Sequence, residues 1–332
     1  MRAFGIIAMG FVLFVSGGAT CARRQPAIPY PPPPVVFNET PTLQEVATVV
    51  NRTANVQQLS TNSASIELLS MPSVPRLSAT MNLQREKNFR LRGSIPILLG
   101  MGFDMGSNQD VFWFEVPEDM SKKLYYASHQ AYQQQLDRAI LPVDPTWIMD
   151  ALGLAQIDPN TVVAGPILLP DGKLQVRSTI ASSIGNYQRD LFIEPKAGYV
   201  TDQYLYNPSG QLVAQSQASN HRYYEAQQCV LPHRVDLNLV PGAGMGPPLT
   251  MRIDISDYTV NQLLSGDPNL FTMPTSASRQ VDLTTLSGGM PMAATGTSPN
   301  TSTGIGTRPI VSGPSEYSAD ASSAYPLRGT IR

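Results

Sequence analysis

Charge, cysteine and histidine are all scarce in this chain. Only 14% of its 332 residues are charged and the formal net charge is -2. No stripe of Lys and Arg appears, and neutralising a phosphate backbone needs clustered cations, so the composition argues against nucleic-acid binding. Two cysteines, Cys21 and Cys229, cannot build a disulfide framework. The three histidines, His129, His221 and His233, have no second His or Cys at a metal-ligand spacing. His221 and His233 read as sheet-surface or strand-end residues. There is no Gly-x-Ser-x-Gly elbow and no His-Glu-x-x-His helix, and Gly242-Ala243-Gly244-Met245-Gly246 lacks the strand-helix context of a dinucleotide loop. These absences point away from an enzyme and away from any cofactor or metal. After residue 24 no apolar run approaches the roughly 20 residues that a membrane-crossing helix needs.

What is present begins at the N terminus. Met1-Arg2 precedes an apolar run from Phe4 to Val15, then the small residues Ser16-Gly17-Gly18-Ala19-Thr20, then Cys21 and the basic pair Arg23-Arg24. A basic start, a short apolar core and a small-residue cleavage region form an export signal over residues 1–20. Cys21 resembles the acceptor of a bacterial lipoprotein signal, whose thiol receives a diacylglycerol. That implies an exported protein held to a membrane by its N-terminal lipid. Gly18 and Thr20 depart from the usual residues before such a cysteine, and simple secretion or an uncleaved tether is the alternative.

Residues 21–38 hold Pro26, Pro29 and the run Pro31 to Pro34, the composition of a stiff polyproline spacer. Residues 275–332 are dominated by Ser, Thr, Gly, Ala and Pro and are expected to be disordered, because they offer too little apolar area to offset chain entropy. Between them, residues 39–274 read as one domain. Thr42 and Glu45 make a capping-box pattern, and Leu43, Val46, Val50, Ala54 and Leu59 recur at helical spacing, so the pattern predicts a helix from Thr42 to about Leu59. The period then changes to two. Strands are predicted over 74–85, 88–93, 110–116, 123–127, 174–182, 187–194, 200–206, 212–217, 234–239 and 249–255. One interruption, Asp144-Pro145 followed by Trp147, Ile148, Ala151 and Leu152, reads as a capped short helix. The fold class is mainly β with some α: an antiparallel meander with two helices able to cover one face of a curved sheet. Cys229 is expected as a small buried hydrophobe in or beside a strand.

Apolar, flexible side chains are abundant in Leu98, Leu99, Met101, Phe103 and Met105, and again in Ile148, Met149, Leu152 and Leu154. They read either as ordinary core packing or as the lining of a pocket for acyl chains. Several segments carry a family resemblance. The helix from Leu43 to Arg52, the strand Leu83 to Gly93, the loop and strand Phe103 to Phe114, the hairpin Tyr204 to Leu212, the run Val230 to Leu237 and the closing Asn261 to Pro274 together resemble the bacterial outer-membrane lipoprotein-sorting fold of the LolA and LolB type. The resemblance covers about two thirds of the chain by pattern. It implies an unclosed, strongly curved antiparallel β-barrel with helices as a lid over an apolar cavity that shields acyl chains without chemistry. It also implies placement in the cell envelope, anchored at the outer membrane and facing the periplasm, and a monomer whose partners are lipids, lipoproteins and a periplasmic carrier. Candidates for the cavity or its mouth are Phe89, Leu91, Leu98, Leu99, Met101, Phe103, Trp113, Trp147, Ile148 and Leu152. The buried arginine of the family's carrier falls on Arg90 or Arg92. A protein-interaction or stress-sensing module of the same fold, and a structural envelope lipoprotein, are the alternatives.

Overall fold

A computed structural model of the chain describes residues 30–95, 102–118, 121–134, 147–182, 185–241, 248–262, 266–275 and 279–285. The export signal, Cys21, Leu98, Leu99, Met101, the glycine-rich loop 242–246 and the tail from 286 onward lie outside the described residues.

The capping box forms as the sequence predicts. The Glu45 amide donates to Thr42 Oγ1 at 3.4 Å and the Thr42 amide donates to Glu45 Oε2 at 2.8 Å. Helix α1 spans only Leu43–Val50, followed by a 3₁₀ turn, Asn51–Asn55. Leu59, expected on the helix, sits instead in strand β1, Gln58–Leu68, and is fully buried there. The helix stops short because Asn51, Thr53 and Asn55 turn their side chains to distant backbone groups, such as Ile157 O and Ala155 O, a competition to which Asn and Thr are prone.

The remaining strands are β2 (Leu77–Gln84), β3 (Asn88–Ser94), β4 (Gly102–Ser107), β5 (Val111–Glu118), β6 (Ser121–Ser128), β7 (Val162–Leu168), β8 (Leu174–Ser182), β9 (Gly185–Ile193), β10 (Val200–Tyr206) and β11 (Leu212–Ser219). They are followed by β12 (Arg222–Tyr224), β13 (Cys229–Leu231), β14 (Arg234–Leu239), β15 (Leu249–Ile255), β16 (Thr259–Val260) and β17 (Arg279–Asp282). Fifteen of them make one sheet in the order β17-β6-β5-β4-β3-β2-β1-β15-β14-β11-β10-β9-β8-β7, with β16 beside β1, while β12 and β13 form a separate hairpin. The large sheet is open, with β17 and β7 at its two ends. All its pairings are antiparallel except β17 with β6.

Because paired residues in a ladder share a face, the register assigns every side chain to one of two faces. The inner face runs from Leu174, Ile193 and Leu191 through Leu237, Ile253, Ile66 and Leu77 to Leu91, Phe89 and Phe112. Helix α1 packs Val46, Ala47 and Val50 on Leu174, Val176, Leu191 and Ile193. Helix α3, Trp147–Met149, runs into a π-helical turn, Asp150–Leu154, and packs against the middle of the same face. Near the β6 end a short helix α2, His129–Gln133, covers Phe112, Phe114 and Tyr125 with Tyr132.

The outer face carries cross-strand ion pairs between register partners. Arg177 meets Asp190 at 2.9 Å, Arg252 meets Asp236 at 2.7 Å and Arg234 meets Asp254 at 2.6 Å. Such pairs keep one face of an antiparallel sheet wet while the other is buried.

Both ends of the domain differ from the sequence expectation. The described part of the proline-rich stretch lies against the domain. Tyr30 packs on Tyr224 with ring centroids 5.5 Å apart, Arg222 lies over the Tyr30 ring, and Phe37 is buried beside α1. Val36 and Phe37 both donate their amides to Lys196 O. The prolines need no such partner, and the three apolar residues around them supply the area that fixes the segment. At the other end, the tail expected from 275 instead adds strand β17 and buries Leu283. Parallel pairing to Lys123–Tyr126 orders residues whose own composition could not.

Candidate functional site

The inner face of the sheet is the candidate site. Its floor and helix α3 form one contiguous cluster in which Phe89 and Leu91 are each 1% exposed and Trp147, Ile148 and Leu152 are buried with them. Phe103 is partly buried against this cluster, its ring lying over Gly93, where a Cβ would come within 2.4 Å of it. Six of the sequence candidates are thus placed on one surface or beside it. Trp113 is not among them. Its register partners are Gly106 and Tyr126, on the outer face, and it is fully buried there across Gly106, with Arg90 5.9 Å from its ring. Three aromatics in a row, Phe112-Trp113-Phe114, cannot all face inward on a pleated strand, and the middle one faces out.

Arg90 and Arg92 also belong to the outer face. Arg90 pairs with Asp104 at 2.6 Å and donates to the carbonyls of Asn269 and Leu270. Arg92 reaches the same carboxylate at 3.3 Å from a half-exposed position. Neither points at the floor.

The inner face has a different arginine. Arg189 lies on β9 in phase with Tyr187 and Leu191, so the pleat directs it inward, where its side chain is 12% exposed. It pairs with Asp150 of the π turn at 2.9 Å and donates to Gln156 O. Further bonds hold the chain leaving α3. Asn51 and Ile157 exchange two hydrogen bonds of 2.8 Å, Thr53 Oγ1 donates to Ala155 O, and Arg85 donates to the carbonyls of Thr53, Val56 and Leu154. Burial lowers the Arg85 pKa from its usual value, with the carboxylate of Asp150 opposing that shift. Gly153, at φ +92°, makes the sharp exit of the π turn and lies against Pro232. A side chain there would be strained by conformation and by contact.

Around Arg189 the floor is locally polar. Ser178 is its register partner on β8, and Gln203 and Ser216 are partners of one another on β10 and β11. Gln203 also faces Leu191, two residues from Arg189, so the two are diagonal neighbours. All four sit in the apolar phase of their strands. That was the signal available in the sequence: a polar residue where alternation calls for Leu or Val.

A second concavity of about 580 Å³ opens beside the start of β10, lined by residues including Lys173, Tyr199, Asp202, Gln217 and His221. Lys173 pairs with Asp202 at 2.6 Å, and the His221 ring lies tilted against Tyr199 with centroids 4.4 Å apart. Burial pulls the His221 pKa down to about 4, so the ring is neutral at pH 7. His233, expected at a sheet surface or strand end, stands immediately before β14 but is 3% exposed, bonded to Tyr224 Oη and Ile255 O. Cys229 is buried in β13 as expected, and burial raises its thiol to about 12. Among the described residues no three His, Cys, Asp or Glu side chains gather as a metal site, and no helix is long and apolar enough to cross a membrane.

The architecture is a large open antiparallel sheet with a few short helices packed on its inner face. Solved structures similar to this chain include a domain from Vibrio parahaemolyticus described as that of an outer membrane lipoprotein-sorting protein. It is 10% identical, with 68% of this chain and 94% of that chain covered at a TM-score of 0.44. A LolA superfamily protein from Nitrosomonas europaea is 14% identical, covering 68% and 97% at a TM-score of 0.38. A DUF1329 family protein from Desulfovibrio piger is 13% identical, covering 67% and 92% at a TM-score of 0.42. No protein-family model matches the chain, and no curated protein matches it. The fold assignment rests on the strand order and register given above.

Proposed function

We propose that this is an exported envelope protein, lipid-anchored through Cys21, that binds acyl chains of lipids or lipoproteins on the inner face of its sheet and performs no chemistry. The observation that carries the reading is the cover of that face. The middle of a long apolar floor is covered by the described helical residues Trp147–Met149, whose continuation is a π turn ending at a left-handed glycine. Their hold comes from apolar contact with the floor and from a few side-chain bonds, chiefly Arg189 with Asp150 and Asn51 with Ile157. An acyl chain replacing α3 on Phe89, Leu91, Met81 and Leu237 would regain about 0.8 kcal/mol per buried CH₂. A chain of a dozen carbons can therefore offset release of the helix.

The test is native mass spectrometry and organic extraction of the purified protein. Acyl lipid recovered at near one per chain is the expected result. A protein that neither co-purifies with lipid nor takes up a fluorescent fatty acid would defeat the reading. A second reading, a protein-binding module, has its own observation. The end strand β7 exposes Val163, Ile167 and Leu168, and its neighbour β8 exposes Ile180. An apolar end strand of this kind is a ready surface for another chain.

A further inference from the structure

The second concavity, about 580 Å³, belongs to the outer face of the sheet. Asp202 and Gln217 are register partners on β10 and β11, one step out of phase with the inward pair Gln203 and Ser216. Ser219 follows Gln217 in the same phase, and Asn220 ends the wall at φ +54°. Lys173, the residue before β8, closes the other side over Asp202. Small-molecule sites span about 300–1,000 Å³, and this volume falls among them.

The charges of the lining answer one another. Lys173 Nζ lies 2.6 Å from Asp202 Oδ2, and the Asp202 side chain is 5% exposed and also accepts from Thr201 Oγ1 at 2.8 Å. The His221 ring is neutral at pH 7 and adds no charge. A charged ligand would find no free countercharge to offset its lost hydration. Hydrogen-bonding groups remain. An ammonium has three donors, and Lys173 uses one on Asp202. The side chains of Gln217, Ser219 and Asn220 bond to no described residue, and amides and hydroxyls both donate and accept. Tyr199, set against His221, adds an aromatic ring to this polar wall.

We propose that this concavity binds a neutral saccharide. Sugar hydroxyls donate and accept at once, which suits the two amides and Ser219. Their oxygens accept from Lys173, and the C–H face of the sugar lies on Tyr199. An acyl chain would leave these polar groups without partners, and a phosphate or carboxylate would meet Asp202. The site is independent of acyl binding, which uses the opposite face. The turn leading to Tyr199 also holds Val36 and Phe37 through Lys196 O, so the site stands beside the N-terminal segment. The saccharide is a glycolipid headgroup or a free glycan.

The experiment is calorimetric titration of the purified protein with maltose, lactose, N,N′-diacetylchitobiose, glucose 6-phosphate and galacturonate. One neutral disaccharide or more should bind with a Kd of about 1 mM or tighter, about tenfold below that of either charged sugar. Gln217→Ala combined with Asn220→Gly should weaken that binding by about tenfold or more. The melting temperature should hold, because both side chains are exposed and glycine accepts the positive φ at 220. Flotation with phosphatidylcholine vesicles, with and without digalactosyl diacylglycerol, separates the two sources. Flotation that needs the glycolipid and fails in the double variant assigns a lipid headgroup; disaccharide binding without flotation assigns a free glycan. The proposal is overturned by a charged sugar binding as tightly, or by a folded double variant of unchanged affinity. It is equally overturned if no disaccharide binds at about 10 mM and no flotation depends on the glycolipid. Each of these leaves acyl binding untouched.

Discussion

Replacing Arg189 with Met tests whether α3 is a closed cover held by its polar bonds. Met keeps an unbranched apolar stem as far as the position of Nε, so the packing of that stem beside Tyr187 and Leu191 is largely conserved. The charge, the 2.9 Å pair with Asp150 and the bond to Gln156 O are lost. Breaking a fully buried pair from one side costs about 3–5 kcal/mol. Here Asp150 is 31% exposed and can rehydrate, which brings the expected cost to about 2 kcal/mol. That cost falls on the α3 segment and raises the fraction of molecules with the helix released by about 30-fold. Hydrogen exchange followed by mass spectrometry is the assay. Amides of 150–157 should exchange faster by that factor, while those of β14 and β15, at the centre of the sheet, hold their protection. Uptake of a fluorescent fatty acid should accelerate in parallel. Unchanged exchange at 150–157, or an equal loss of protection throughout the sheet, would refute the idea that Arg189 secures the helix locally.

Other outcomes follow from single positions. Gly106→Val should destabilise by about 2 kcal/mol or more, since even a Cβ would lie 2.2 Å from the Trp113 ring; overpacking is the cause, and thermal denaturation reads it. His221 has a folded-state pKa near 4 against a reference of 6.5, so between those values the unfolded chain binds the extra proton. Stability is therefore full above about pH 6.5 and falls as the pH drops towards 4, by up to about 3 kcal/mol from this residue. Urea midpoints across that range should flatten in His221→Asn, and an unaltered slope would sink the assignment. In a Cys21→Ser background, Cys229 should resist a thiol reagent at pH 8 and react once urea unfolds the chain, because its thiol is buried and raised to about 12; rapid labelling of the folded protein would contradict its placement in the core.

Much of the sheet was legible because its strands alternate cleanly. The strands at 174–182, 200–206, 234–239 and 249–255 begin and end where the period-two pattern does. Strand β1 was not legible. Its register slips between Thr61 and Ala64, which moves the apolar phase in mid-strand and hides the period, and the capped helix before it invited an overlong helix. Strand β17 escaped because a pairing of four residues with β6 depends on a partner distant in the chain. At the candidate site, the apolar residues of α3 and the floor followed from spacing. Trp113 was assigned to the wrong face because flanking Phe residues satisfy either phase. Arg189 and Gln203 were overlooked because a polar residue in an apolar phase looks like a break in the strand until the partner strands show it is buried.

The docking of Tyr30 against the β12–β13 hairpin and of Phe37 against the turn after β9 has a mechanical consequence. Only residues 22–29 separate Tyr30 from Cys21, a stretched reach of about 30 Å. A lipid on Cys21 would therefore hold the domain on a short leash attached at one pole. The hairpin and the β9–β10 turn would stay near the bilayer. The opposite pole, where β1 turns into β2 and β10 into β11, would face away from the membrane.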